Sequence, residues 1–143
     1  MPRLLRNVLA VIVGIAIGAG VNTALITLSP LIIPPPVGVD VNSAESLAKA
    51  MHLFEPRHFV MPFLAHALGT LAGALVAYLI AATHRVPIAY VIGAVFLSGG
   101  VAASFMIPAP RWFIALDLLL AYLPMAWLAI QIGARVKQES KVH

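Results

Sequence analysis

The sequence contains no cysteine, and charged residues make up only 10% of its 143 residues. The absence of cysteine excludes a disulfide framework, a thiolate nucleophile, an iron–sulfur cluster and a cysteine-based zinc site. The scarcity of charge excludes an ordinary soluble domain, in which about 25% of residues are charged. We therefore predict a membrane protein without a bound cofactor.

The few charges that are present are mostly basic. The formal net charge is +4 and the isoelectric point is near 10.0. The basic residues do not cluster into a patch with interleaved aromatic residues, as they do on a nucleic-acid-binding surface. Hydrophobic residues, in contrast, make up 62% of the chain. We expect the lipid bilayer, and no nucleic acid, to be the partner of this protein.

Four apolar segments each approach the roughly 20 residues that a helix needs to cross a bilayer. They lie at about 7–29, 59–82, 88–107 and 112–133, and an outer loop falls at 30–58. We expect the first segment to be a retained span rather than a signal peptide, because no small-x-small cleavage site interrupts its apolar run. The pattern predicts an all-α integral membrane four-helix bundle, with residues 1–143 forming a single transmembrane domain.

The distribution of lysine and arginine predicts the orientation of these spans. With the N-terminus inside, the inner side carries Arg3, Arg6, Arg85, Arg135, Lys137 and Lys141. The outer side then carries Lys49, Arg57 and Arg111. Because basic residues accumulate on the cytoplasmic side of membrane proteins, we expect both termini to be cytoplasmic.

The outer loop contains a helix-stopping signal followed by a helix-starting signal. The run of prolines at 34–36 cannot continue a helix, so the first span should end there. Asn42 can cap a following helix, and Glu45 lies at the position that completes a capping box. The apolar residues after this cap recur at helical spacing, namely Leu47, Ala50, Met51 and Phe54. We predict a short amphipathic surface helix that lies on the membrane or covers the bundle.

Small residues recur on one face of each span, where close packing replaces the hydrophobic drive that lipid removes. The glycines of these faces are Gly14 and Gly18, Gly69 and Gly73, and Gly93 and Gly100. We expect Gly73→Leu to disrupt the protein more than Ala74→Leu, with Ala74 taken to face lipid. In the fourth span, Pro124 should kink the helix by removing a hydrogen bond to the Leu120 carbonyl.

Polar side chains inside the spans define a candidate site. Asp117 is the only carboxylate within a span, and a carboxylate at a helix centre costs about 2.5–3.5 kcal/mol on insertion scales. His66 lies at a similar depth in the second span, since each residue advances a helix by about 1.5 Å. We therefore predict that His66 pairs with Asp117. The other members of this candidate intramembrane polar site are Asn22, Ser104 and Thr70.

This polar layer is open to several interpretations. Its side chains could fix the register of the helices, or His66 and Asp117 could relay a proton or cation. The inner half of the spans has almost no polar residues, which argues against a continuous path through one copy of the chain. An outer-face enzyme would need a nucleophile beside the base, and Ser104 lies in no recognisable nucleophile motif.

The outer loop contains one weak metal-binding pattern. His52, Glu55 and His58 recur at three-residue intervals and include residue types that bind zinc. Pro56 breaks the helix that would align them, so we predict no metal site. A haem between two histidines is also disfavoured, because only His66 lies within a span.

Five distinctive stretches lie between about residues 14 and 133, namely PPPVGVD, ESLAKAM, PFLAHALGTLAGALVAYLIA, MIPAPRWF and AYLPMAWL. In these stretches the chain resembles a family of small, uncharacterised four-span bacterial membrane proteins. The resemblance implies a bacterial inner (plasma) membrane and brings no activity with it. In that family a second acidic or histidine residue often follows the midpoint of the first span, where this chain has asparagine, threonine, alanine and leucine at 22–25.

The polar layer and the absence of a catalytic motif lead to three hypotheses of function. The first is a non-enzymatic subunit or interaction protein, acting as a homo-oligomer or with another membrane protein. The alternative is a proton- or cation-linked transporter or channel component that uses His66 and Asp117. The third hypothesis is an outer-face membrane enzyme.

Overall fold

A computed structural model of the protein describes residues 1–140, which form helices joined by turns and loops and contain no strand. The helices of this range are α1 (Arg3–Ile32), α2 (Ala44–Ala50), α3 (Val60–Ile80), α4 (Arg85–Met106), α5 (Arg111–Leu120) and α6 (Leu123–Glu139). Short 3₁₀ turns at Met51–Leu53 and Pro56–Phe59 connect α2 to α3. The predicted all-α class is confirmed for these residues, and Lys141, which contributed to the charge count, lies outside them.

Four stretches are long and apolar enough to cross a membrane, namely Arg3–Ile32, Pro56–Ile80, Arg85–Met106 and Arg111–Glu139. The first helix is longer than the predicted 7–29, and it ends at Ile32, just before the proline run that was expected to stop it. These stretches indicate a membrane protein. Insertion, the kind of membrane and the orientation stay predictions.

The fourth stretch is not the single kinked helix that the sequence predicted, because it is interrupted completely at Ala121 and Tyr122. Tyr122 has φ −121° and ψ −81°, which lies outside the helical region. Pro124 explains the break. It is the second residue of α6, where its missing N–H leaves no intrahelical bond unmade, whereas in a continuous helix it would clash with the Leu120 carbonyl.

Consecutive long helices run in opposite directions, so the connecting segments lie at two ends of the molecule. We call the end with residues 33–59 and 107–110 the loop end. The terminal end contains the N-terminus, the turn at 81–84 and the end of α6. The basic residues of the loop end are Lys49, Arg57 and Arg111, and those of the terminal end are Arg3, Arg6, Arg85, Arg135 and Lys137. The lysine and arginine residues that the sequence assigned to opposite sides of the membrane therefore lie at opposite ends of the molecule.

Hydrogen bonds at the terminal end attach the start of α1 to the turn between α3 and α4. The side-chain oxygen of Asn7 accepts the backbone N–H groups of Ala82 and Thr83 at 3.0 and 3.2 Å. The guanidinium of Arg6 donates to the carbonyl of Ile80 at 2.6 Å. These bonds fix the register of α1 against α3 at this end.

Glycines form the crossing of α1 and α3. A Cβ atom added at Gly73 would lie 2.6 Å from the Gly14 carbonyl oxygen, and one added at Gly18 would lie 2.7 Å from the Gly69 carbonyl oxygen. Any larger residue would separate the two backbones. The four glycines that the sequence assigned to helix packing in the first two spans thus meet one another.

The glycines of α4 pack against the fourth stretch. A Cβ atom at Gly93 would lie 2.9 Å from the Ala126 Cβ, and Gly100 packs against the ring of Tyr122. The expectation that Ala74 faces lipid is wrong, because its exposed fraction is 0%. The helix α3 contacts α1, α4 and α6, so little of its surface remains for lipid.

Alanine dominates the core of the terminal half, where it allows close approach of the helices. The buried residues of this core are Ala10, Ala74, Ala77, Tyr78, Ala81, Ile88, Ala89, Ile92, Ala126, Ala129 and Ile130. The most apolar window of α1 is only 17% buried, and that of α4 only 22%, against 44% for the stretch that contains α3. The outer faces of α1 and α4 are therefore the large apolar surfaces that lipid or a partner would cover.

Residues 33–59, which we call the roof segment, contain α2 near their middle. The hydroxyl of Ser43 caps α2 by accepting a backbone N–H three residues later at 3.2 Å. The predicted cap at Asn42 is wrong by one residue, since Asn42 donates its own N–H to the Asp40 carboxylate at 2.9 Å. Glu45 forms an ion pair with Lys49 at 2.6 Å on the surface of α2.

Candidate functional site

His66 of α3 and Asp117 of α5 form a hydrogen-bonded pair. The Nδ1 atom of His66 lies 2.8 and 3.0 Å from the two carboxylate oxygens. Because an ionised carboxylate only accepts, Nδ1 carries a hydrogen and donates it. The side chain of Asp117 is 7% exposed and that of His66 is 26% exposed. The structure thus brings together the two residues that the sequence paired, and their role stays a prediction.

Tyr122 is a third member of this network, and the sequence analysis missed it. Its hydroxyl donates to Asp117 Oδ2 at 3.0 Å, and its ring stacks on the imidazole of His66 with 5.9 Å between centroids. Only 2% of Tyr122 is exposed. A tyrosine buried in an apolar segment usually has a hydrogen-bond partner for its hydroxyl, and that requirement was the available signal.

The break before α6 explains how Tyr122 reaches Asp117. In a continuous helix, residues five positions apart differ by about 140° around the axis and point away from each other. The interruption at Ala121 and Tyr122 removes this constraint, so both side chains converge on the same point. Pro124, which causes the break, therefore also assembles the polar network.

Thr70 and Asn22 lie near the pair but do not bond to its side chains. Thr70 is completely buried, and its hydroxyl donates to the backbone carbonyl of His66 at 2.8 Å. Asn22 lies at the glycine crossing, beside Gly69. Its side-chain oxygen is buried without a hydrogen-bond partner among residues 1–140. The position of Asn22 therefore belongs to helix packing rather than to the network of Asp117.

A cavity of about 520 Å³ lies at the loop end, with His66 and Asp117 in its wall. The loop-end parts of α1, α3, α4 and α5 surround it together with the roof segment. Its apolar lining includes Ile26, Met51, Phe54, Phe59, Phe113 and Leu118. His66, Asp117 and Gly100 each lie six residues from the loop end of their helix, which corresponds to a depth of about 9 Å.

Ser104 lines the same cavity, one helical turn closer to the roof segment than Gly100. Its hydroxyl donates to the carbonyl of Val101 in its own helix at 2.7 Å. No hydrogen bond between Ser104 and His66 is present in the described part of the chain. A serine nucleophile activated by histidine would need that contact, so the structure places Ser104 beside the pair without joining them.

The weak metal pattern of the roof segment does not form a site. Glu55 donates its backbone N–H to His58 Nδ1 at 2.8 Å, and its carboxylate accepts the backbone N–H of His58 in return. That carboxylate also pairs with Arg57 at 2.9 Å, while His52 is exposed. No three potential metal ligands converge anywhere between residues 1 and 140. Pro56 begins the 3₁₀ turn that directs these side chains into a local capping arrangement.

No protein-family model, curated protein or solved structure matches the chain. The resemblance to small bacterial four-span proteins therefore stays an expectation. The class of the protein rests on its four apolar helical stretches, and a function has to be argued from the geometry of the cavity.

Proposed function

We propose that the chain is a non-enzymatic membrane protein that binds a small, largely apolar molecule in the cavity at the loop end. One observation carries this proposal: the mostly apolar wall of a cavity of about 520 Å³ also contains the hydrogen-bonded pair of His66 and Asp117. Ligand pockets typically have volumes of about 300–1,000 Å³, apolar walls and a few convergent polar groups. The cavity has all three properties.

The polar pair would orient the ligand. Asp117 holds the imidazole of His66 through Nδ1, and Tyr122 stacks on the ring, so the ring has little rotational freedom. The other ring nitrogen, Nε2, lies on the side of the ring away from Nδ1. A fixed imidazole in an apolar wall supplies one directional hydrogen bond, which favours a ligand with a single polar group.

Ligand binding is better supported than the other hypotheses. A transporter would need several polar groups between the pair and the terminal end, but the only buried side chains with a polar atom in that part of the described chain are Thr70 and Tyr78. An enzyme with a serine nucleophile would need Ser104 bonded to His66, and its hydroxyl is bonded elsewhere. A role as an interaction subunit is compatible with the exposed faces of α1 and α4, although lipid would cover such faces equally well.

A substitution that fills the cavity should abolish binding. Ala103 lines the cavity, whereas Ala102 is exposed on the same helix, so Ala103→Phe and Ala102→Phe are a matched pair. In lauryldimethylamine oxide micelles, a detergent without hydroxyl groups, we expect saturating decanol to raise the unfolding temperature of the native chain by roughly 5 °C. Ala102→Phe should show the same rise and Ala103→Phe should show none. Equal responses of the two variants would place decanol outside the cavity and refute the proposal.

We also propose that the loop end faces the outside of a bacterial inner membrane, with both termini in the cytoplasm. Five of the described basic residues lie at the terminal end and three at the loop end, which is the bias of cytoplasmic segments. The chain has no cysteine, so a single introduced cysteine can be labelled without background.

Labelling with a membrane-impermeant maleimide tests this orientation. Val37 is fully exposed in the roof segment and Ser140 is exposed at the terminal end. In intact cells, Val37→Cys should react and Ser140→Cys should be protected until the cells are lysed. The opposite pattern would reverse the orientation and place the cavity in the cytoplasmic half of the membrane.

A further inference from the structure

Around His66, the polar side chains of the cavity wall already donate their hydrogens within the protein. We call the wall formed by Gly100, His66 and Asp117, together with Ser104 one helical turn nearer the roof segment, the deep end of the cavity. His66 donates its Nδ1 hydrogen to Asp117, and Ser104 donates its hydroxyl hydrogen to a carbonyl of its own helix. A neutral imidazole that donates from Nδ1 has only a lone pair on Nε2. The side chains of His66 and Ser104 therefore present hydrogen-bond acceptors to the cavity.

The hydroxyl groups of the neighbouring residues also donate their hydrogens within the protein. Tyr122 donates to Asp117 at 3.0 Å, and Thr70 donates to the His66 carbonyl at 2.8 Å. Asp117 accepts from two donors and, as an ionised carboxylate, has no hydrogen to give. What remains at the deep end is a set of lone pairs on His66 Nε2, Ser104 Oγ and the Asp117 oxygens, together with one negative charge.

We infer that the ligand is an amphiphile whose polar group donates a hydrogen bond, such as an alcohol, phenol or amine, and that His66 Nε2 is the acceptor. This inference rests on the proposed ligand-binding function and specifies the class of ligand. An ether or ketone placed beside His66 would bring an acceptor to the acceptors of the deep end, which leaves polar groups of both partners unpaired. A carboxylate or phosphate would in addition bring a second negative charge towards Asp117 in surroundings of low dielectric constant.

Three probes with the same alkyl chain separate these possibilities. Decanol donates and accepts a hydrogen bond, decyl methyl ether only accepts, and decanoate is an anion. Their apparent affinities would be measured at about pH 8 from the rise in unfolding temperature in lauryldimethylamine oxide. One uncharged hydrogen bond corresponds to about a tenfold change in affinity. We expect decanol to bind about tenfold more tightly than the ether, and decanoate to bind most weakly.

Two results would overturn the inference in distinguishable ways. If the ether or decanoate binds as tightly as decanol, and Ala103→Phe still abolishes binding, then the cavity binds apolar molecules but does not select a donor. If none of the three probes raises the unfolding temperature, the proposed function fails together with the inference.

Substitution of His66 tests whether this residue causes the preference for decanol over the ether. His66→Asn keeps an amide that can bond to Asp117 but removes the Nε2 lone pair from the cavity, so decanol should lose its advantage over the ether. Retention of the full tenfold advantage would show that His66 is not the acceptor. If His66→Asn does not fold, Ser104→Ala decides between the two acceptors. If Ser104→Ala still binds decanol about tenfold more tightly than the ether, His66 is the acceptor. If that difference is lost, the acceptor is Ser104.

Discussion

Gly73→Leu should separate α1 from α3 and lower the free energy of unfolding by about 3 kcal/mol or more, above the usual range for overpacking. The reason is that a Cβ atom at Gly73 would already meet backbone atoms, at 2.6 Å from the Gly14 carbonyl oxygen and 3.2 Å from the Gly18 Cα. A backbone cannot rotate away as a side chain does. Unfolding by sodium dodecyl sulfate in mixed micelles would measure the loss.

The control for this prediction is the same substitution at Gly20, where an added Cβ atom would meet nothing within 4 Å. Gly20→Leu should be neutral or stabilising, because leucine favours a helix over glycine by up to about 1 kcal/mol. Ala74→Leu is unsuitable as a control, since Ala74 is buried. Similar losses for Gly73→Leu and Gly20→Leu would show that the glycine crossing is not the contact that holds these helices.

Asp117→Leu should cost roughly 2 kcal/mol or more, because it leaves one buried and one partly buried donor without an acceptor, and a fully buried unpaired group costs about 1–3 kcal/mol. The two donors are His66 Nδ1 and the hydroxyl of Tyr122. Tyr122→Phe should cost only about 0.6 kcal/mol, the typical value of one hydrogen bond between helices in a membrane. The same unfolding assay measures both.

A combined variant distinguishes orphaned donors from lost packing. Asp117→Leu together with His66→Phe and Tyr122→Phe removes the acceptor and both donors. Since replacing all partners by apolar groups can be nearly neutral, this variant should recover much of the stability that Asp117→Leu loses. If the triple variant is as unstable as Asp117→Leu alone, the cost comes from the shape of the leucine rather than from unpaired polar groups.

The sequence predicted how deep a side chain lies along its helix better than it predicted which neighbouring helix that side chain faces. The spacing of 1.5 Å per residue placed His66 and Asp117 in one layer, and the demand of a lone carboxylate for a partner paired them. The direction of Ala74 depended on how many helices surround α3, which the sequence does not state. Asn22 has the right depth but belongs to the glycine crossing, where its direction is set by α1.

Tyr122 was missed for a related reason. On an ideal helix it points away from Asp117, and only a complete break brings the two together. The sequence indicated a kink at Pro124, but a kink preserves most of the helical geometry and would not have revealed the contact. The cap at Ser43 rather than Asn42 reflects a competition between adjacent residues that both have capping side chains, and the Asp40 turn decides it.

The separation of His66 from Asp117 by 51 residues has a consequence for biosynthesis. The chain is made from its N-terminus, so α1, α3 and α4 are complete before the ribosome reaches Asp117 and Tyr122. The glycine crossing of α1 and α3 can form early, but the imidazole next to it stays unpaired until the last helices arrive. A chain that terminates after α4 therefore contains the histidine of the cavity without its acceptor, and this polar group stays unpaired within an apolar segment.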